Sequence, residues 1–485
     1  MWKRLAGNES HDGRSPYDSG ANAMRNRTTI RRKVIAMLAV AFAAFAMQCA
    51  TPAMVQGSQV QVVLEWDYET PGAEGFALYC GLSSRSYRTR NDVGDTLSAT
   101  LSLIKGAVRF CAVTAYDVQR DESFFSNEVA ISVTDAGTVI EELPLRVQDA
   151  GMTPTGFRVR FNRRIDHGAL SLYSWQSGGG GPDVTLVGDT SGSVPGSLIV
   201  HPDNLGFTFV KSDGLLAPDS YVLTVHSRFD GLLDEFGRSI DGNGDGDFGD
   251  DYSLWPPPVL PTSSPVVGVG EFARGPGQPV DLPLSEEGAG IPVSIENGVG
   301  ATDVEFRLQF DPRLLTPTDV VLAPGISGAL TVKEIDQPAG RAHIRAQISS
   351  GLQDARTTLL SLRASVPPDA PYRAMHMLDI SDVRVDGLTG VDDDGLHIVA
   401  FPGDASGNGA YTSLDLQHMR RVTSGLDTGF SAYPLADPSV VADVSGDGAI
   451  SDLDESAVVE LCLSTLAGST FWNLTGAVKC SIVLP

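Results

Sequence analysis

The chain has 485 residues, with 60 Asp and Glu against 35 Lys and Arg and a formal charge of −25 at pH 7, and a surface of that sign repels nucleic acid. The 52 Gly and 29 Pro imply many turns and short elements, which argues against one large α/β core, and the length corresponds to about three to five domains. The 8 His and 5 Cys show no H-E-x-x-H or C-x-x-C spacing, so nothing points to zinc.

At the N-terminus, Arg25, Arg27, Arg31, Arg32 and Lys33 precede the apolar run Val34–Met47. A charged region followed by a short apolar one is a signal-peptide pattern. Residues 1–57 are therefore read as the signal region, with Met24 as the expected true start. The run is shorter than the roughly 18 apolar residues a span requires, and no later segment reaches that length, so a secreted chain without a membrane span is expected. Cys49 follows Met47 and Gln48, where a lipidation site expects small residues. If Cys49 leaves with the signal, Cys80, Cys111, Cys462 and Cys480 remain. Chain order pairs Cys80 with Cys111 and Cys462 with Cys480; buried free thiols are the alternative.

Residues 58–135 alternate apolar and polar in short runs, the pattern of sandwich strands. Leu64–Asp67, Gly75–Tyr79, Cys111–Asp117, Glu122–Ser123 and Ser126–Val129 together resemble a fibronectin type III domain. That resemblance implies that the strands carrying Cys80 and Cys111 are neighbours. Trp66 and Tyr116, on alternating strands, read as core rather than as a sugar platform. Residues 138–252 are again strand-rich. Phe157–Asn162, Gly214–Pro218 and Tyr221–Val225 resemble bacterial Ig-like domains. The proline run in 253–265 cannot donate sheet hydrogen bonds and reads as a semi-rigid linker.

In residues 266–399, Ile291–Asn297 and the strand Val304–Phe310 running into Asp311-Pro312 and Leu314-Leu315 resemble a cohesin domain. The fold implied is a jelly-roll sandwich shared with some carbohydrate-binding modules, so fold alone does not separate their functions.

Residues 400–485 carry the sharpest chemistry. Asp404, Ser406, Asn408, Thr412 and Asp415 place oxygen side chains at positions 1, 3, 5, 9 and 12 of a loop with Gly409 at 6 and the Ala410 carbonyl at 7. Calcium asks for this: hard oxygen ligands at short intervals, a glycine at the sharp turn and a closing acid. Asp443, Ser445, Asp447, Ala449, Ser451 and Asp454 repeat the pattern around Gly448. A helical periodicity follows each loop. The bland alternative is a pair of Asp-Gly turns. The duplicated loop and helix resemble a dockerin, with an insertion-like stretch, Asp427 to Pro438, between the repeats. In that family loop positions 10 and 11 help choose the partner; here they are Ser413, Leu414, Asp452 and Leu453, although both leucines could equally be core. A third cluster, Asp241, Asn243 and Asp245, also offers calcium oxygens, but Tyr252 stands where a closing acid is expected, and Asp250 or Asp251 is the candidate substitute.

The expected architecture is therefore a mainly β multidomain chain: three β-sandwich domains, two Ig-like and one a cohesin-type jelly roll, then a small α-helical dockerin-like calcium module. These modules and their linkers leave no stretch of about 100 residues for a catalytic domain, and no G-x-S-x-G, P-loop or dinucleotide motif occurs. The resemblances imply a secreted, non-catalytic scaffold with calcium as cofactor and a protein as partner, acting in extracellular polysaccharide breakdown. The alternative is a glycan-binding or adhesive surface protein. An exposed aromatic row on 266–399 would favour that second reading, and Phe272, Phe306, Phe310 and Tyr372 look too dispersed to form one.

Overall fold

The structure, a computed structural model, describes residues 59–68, 72–175, 181–282 and 290–467, together with the backbone of 36–37 and 479–481; side chains from 464 onward are outside it. The signal region is thus outside the described residues apart from two backbone positions, and so is the Cys480 side chain. The chain is mainly β and divides into two compact units, Met1–Leu143 and Pro144–Pro485.

In the first unit, strand Gln59–Glu65 pairs with Ser98–Ile104, and five further strands form a sheet in the order Ser86–Gly94, Gly75–Ser83, Val108–Tyr116, Val129–Val133, Val139–Glu141. Alternate residues Val62 and Leu64 turn inward onto Phe76, Leu78, Val113 and Ile131, as the period-two pattern requires. Trp66 and Tyr116 are only 2% and 3% exposed, so both belong to the interior. Cys80 lies directly opposite Cys111 on neighbouring antiparallel strands, and a disulfide joins them with the Cα atoms 4.2 Å apart. Its reduction should destabilise this unit by about 3.5 kcal/mol, since the bridge closes a 31-residue loop in the unfolded chain; denaturant unfolding with and without reductant measures it.

The second unit contains three apolar cores. Residues 145–259 form two four-stranded sheets, Gly196–Val200, Gly206–Lys211, Gly156–Phe161, Val147–Thr153 and Gly192–Ser193, Val184–Gly188, Tyr221–Val225, Tyr252–Leu254, around Phe157, Val159, Phe207, Leu186 and Leu223. Leu254 pairs with Leu223, and Asp219 and Val259 exchange backbone hydrogen bonds of 3.1 and 2.8 Å. The segment read as a linker from residue 253 therefore begins as an edge of this sheet: its prolines lack N–H groups, but Leu254 and Val259 do not.

Residues 266–399 form two larger sheets. One is built on Val266–Val269, Ile291–Glu296 and Arg356–Ser365, the other on Asp303–Gln309, Arg341–Ile348 and Met375–Val385. Inward residues of both, including Val267, Ile295, Leu360, Phe306, Ile344 and Leu378, make one core. Phe272, Phe306 and Phe310 are at most 6% exposed; they are interior residues and form no surface row.

The third core is C-terminal. Helices α1 (Ser413–Thr423), α2 (Pro438–Ala442) and α3 (Asp452–Ala467) enclose Tyr411, Leu416, Met419, Phe430, Val441 and Val458. Ala273, Leu396 and Ile398 from the preceding sandwich join the same cluster. The boundary drawn at residue 400 thus falls inside a shared core.

Candidate functional site: paired acidic loops

The two C-terminal loops share most of their internal hydrogen bonds; they differ at the third position after the first acid, where Gly446 N donates to Asp443 Oδ1 at 2.7 Å but Gly407 N donates to the Asp404 carbonyl at 3.2 Å. In the first, Asp404 Oδ1 accepts from Ser406 Oγ (3.1 Å) and Asn408 N (3.2 Å), and Oδ2 from Gly409 N (2.7 Å). In the second, Asp443 Oδ1 accepts from Ser445 Oγ (3.2 Å) and Asp447 N (3.2 Å), and Oδ2 from Gly448 N (2.8 Å). Asn408 Oδ1 accepts from Ala410 N at 2.8 Å, and Asp447 Oδ1 from Ala449 N at 3.0 Å. Gly409 and Gly448 both take positive φ, 75° and 89°, a conformation that a side chain would strain.

The closing acids also match. Asp415 accepts from Ser406 N (2.8 Å), Thr412 N (2.7 Å) and Thr412 Oγ1 (2.9 Å); Asp454 accepts from Ser445 N (2.8 Å), Ser451 N (2.7 Å) and Ser451 Oγ (3.0 Å). Each therefore stitches its loop together while capping the helix that follows, since an acid three residues into a helix satisfies free backbone N–H groups. Both carboxylates are fully buried.

The donor set fits a hard cation. Oxygens of Asp443, Asp447 and Asp454 lie within 4.8 Å of one another, the one group of three or more such side chains among the described residues. Oxygens on a shell 2.3–2.6 Å from a calcium ion are separated by about that much at most. The first loop offers two carboxylates, Asp404 and Asp415, with Asn408 in place of the third. Burial raises the Asp404 pKa, and the nearby Asp415 charge adds to the rise against the hydrogen bond from Tyr372. Burying negative charges together is unfavourable without a counter-charge.

Ser413, Leu414, Asp452 and Leu453 are all exposed, the two leucines by 44% and 64%. They stand at the starts of α1 and α3. Leu414 lines a shallow pocket with Gln417, His418 and Arg421 of its own helix, Asp427 and Ser431 of the inserted stretch, and Trp175.

The cluster at Asp241 is built differently. Arg146 Nε and Nη2 stand 2.7 and 2.6 Å from Asp241 Oδ2, while Gly244 N and Gly246 N donate to the same carboxylate. Asp250 Oδ2 accepts from Asn243 Nδ2 at 3.1 Å. A guanidinium thus supplies positive charge to Asp241 within a hydrogen-bonded turn that also contains Asn243 and Asp245. The sequence reading missed Arg146 because it is 95 positions away. It also missed Tyr372, whose hydroxyl donates to Asp404 Oδ2, and Tyr433, whose hydroxyl donates to the Asp404 carbonyl at 3.0 Å; no loop-spacing rule contains either.

The inserted stretch between the repeats is sewn onto the 145–259 sheets. Leu172 N and Leu198 N donate to the carbonyls of Pro434 and Leu435 at 2.9 and 2.7 Å. Ser212 Oγ donates to Asp437 Oδ2 (2.7 Å), and Asp437 N to Ser197 Oγ (3.0 Å).

No protein-family model matches the chain, and no curated protein matches it. Among solved structures it is similar to a non-cellulosomal cohesin from the hyperthermophilic archaeon Archaeoglobus fulgidus, at 16% identity over 28% of this chain and 90% of that chain, with a TM-score of 0.23. A type II cohesin domain from the cellulosome of Acetivibrio cellulolyticus is 14% identical over 28% of this chain and 95% of that one, TM-score 0.21. A type III cohesin module from a cell-surface anchoring scaffoldin of Ruminococcus flavefaciens is 14% identical over 28% and 86%, TM-score 0.21. These three solved structures are cohesin domains or modules, and each is matched over 28% of this chain.

Proposed function

We propose that residues 404–415 and 443–454 each hold one calcium ion, and that the chain is a secreted, non-catalytic assembly protein whose 266–399 sandwich and C-terminal module make protein contacts in extracellular polysaccharide breakdown. The observation that carries the calcium reading is the repetition of one hydrogen-bond pattern around the first and closing acids of the two loops, ending in two fully buried acids. Calcium would be held by Asp404, Ser406, Asn408, the Ala410 carbonyl, Thr412 and Asp415 in one loop, and by Asp443, Ser445, Asp447, the Ala449 carbonyl, Ser451 and Asp454 in the other. It supplies positive charge that lets several carboxylates be buried together. The protein-contact reading is supported by the strand Val304–Phe310 with its Asp311-Pro312 turn, and by the exposed leucines at equivalent positions of the two repeats, Leu414 and Leu453. Buried phenylalanines in place of a surface aromatic row remove the feature that would have favoured glycan binding.

Calorimetric titration of calcium into the full chain, after chelator treatment, should show uptake at two sites and a rise in the unfolding temperature. Absence of both would end the calcium reading. The calcium-loaded chain should then bind a cohesin or a dockerin from a panel of type I, II and III modules, and the chelated chain should bind less. Calcium uptake without any association would end the assembly reading alone.

A further inference from the structure

The two loops repeat each other internally but not in what surrounds them. Asp443 is partly exposed, and its carboxylate bonds shown among the described residues come from Ser445, Gly446, Asp447 and Gly448 of its own loop. Asp404 is fully buried and is reached from outside. Tyr372, in the segment before strand Met375–Val385 of the sandwich, donates its hydroxyl proton to Asp404 Oδ2. The same hydroxyl oxygen accepts from Phe401 N at 3.0 Å, which fixes where its proton points. The next residue, Arg373, donates its N–H to the Val399 carbonyl at 2.8 Å, tying the tyrosine to the sandwich backbone.

We propose that Tyr372 is a positioning residue for the first loop: it fixes the carboxylate of that loop's first ligand, and so makes ion binding at loop 404–415 stabilise the 266–399 sandwich more than binding at loop 443–454 does. This rests on the calcium reading above. A hydrogen bond that orients a metal ligand typically changes metal affinity by about 10- to 100-fold when removed, and any ligand that favours the ordered form of a segment stabilises whatever that segment is bonded to.

The test uses the full chain, with calcium chloride as the probe. In calorimetry the Tyr372→Phe variant should bind calcium about 10- to 100-fold more weakly at one site and within twofold of wild type at the other. In hydrogen exchange, calcium should slow the amides of Met375–Val385 in wild type and have little effect on them in Tyr372→Phe, while slowing the amides of α3 in both. A merely structural tyrosine would speed exchange of that strand equally with and without calcium and leave both affinities unchanged, and that result overturns the proposal. Asp443→Asn supplies the second arm should Tyr372→Phe fold poorly: calcium protection of Met375–Val385 should survive it, and loss of that protection would place the coupling in the other loop and equally overturn the proposal. Wild type that takes up no calcium at all would instead remove the calcium reading itself.

Discussion

Asp415→Ala should abolish calcium uptake at the first loop and destabilise the second unit by about 4 kcal/mol. The side chain is fully buried, and its removal strands Ser406 N, Thr412 N and Thr412 Oγ1 together. These donors are partly buried, so losing the three bonds costs about 1 kcal/mol each, and loss of a helix cap about 1 more. Asp415→Asn separates the two roles. An amide keeps an oxygen toward some of these donors but lacks the charge, so the loss of calcium should persist while the loss of stability in chelator shrinks to about half. Denaturant unfolding in chelator and calorimetry in calcium read the two effects independently. Equal stability of Asp415→Ala and wild type in chelator would show that the carboxylate does not organise the loop.

Asp394→Asn should stabilise the protein by about 3 kcal/mol at pH 7.5 and change it little at pH 4. Burial, with the Asp379 charge next and Asp392 and Asp393 beyond it, pushes the Asp394 carboxyl up to about 8, against the pull of the hydrogen bond from Ile380 N. A carboxyl raised from its ordinary value of 3.8 contributes stability that is full below about pH 4 and is lost as pH rises through its folded value. Asparagine stays neutral and keeps the acceptor for Ile380 N, 2.9 Å away in the wild type. Asp393, pushed up to about 7 mainly by burial, works in the same direction. The buried pair His376 and His397, whose Nε2 and Nδ1 are 3.1 Å apart, works in the opposite one. Burial lowers His376 to about 4 and His397 well below its ordinary value, so their contribution is full above about pH 6.5 and is lost as pH falls. Stability should therefore peak between the two limbs. Unfolding midpoints from pH 4 to 8 in chelator check this: Asp394→Asn should flatten the alkaline limb alone, and curves that run parallel across the range would refute the assignment.

Local regularities carried much of this architecture into the sequence. Strands such as Asp303–Gln309 alternate buried residues with half-buried or exposed ones at every step, so their faces were readable from period-two hydrophobicity. The paired loops were readable because their ligands lie within twelve consecutive positions and the chain repeats them. What could not be read was set by distant partners. The Asp241 cluster has the composition of a cation loop, and only the arrival of Arg146 shows how its charge is held. The stretch 427–438 looked like an insertion, while in the structure its carbonyls meet Leu172 and Leu198 from more than two hundred positions away. Leu414 and Leu453 fitted a core or a contact surface equally well in the sequence, and their exposure removes them from the core.

The shared C-terminal core carries a consequence for how such a chain could be taken apart or recombined. Cutting after Val399 would separate Phe401, Tyr411, Met419 and Phe430 from Ala273, Leu396 and Ile398, turning an interior into a greasy surface, and would deprive the inserted stretch of the sheet it is sewn to. The paired loops are repeated like a transferable cassette, yet they are grafted here. Moving them to another protein would require the sandwich edge at 272–274 and 395–399 to travel with them, and shuffling at the boundary suggested by the sequence would deliver a fragment prone to self-association rather than a working module.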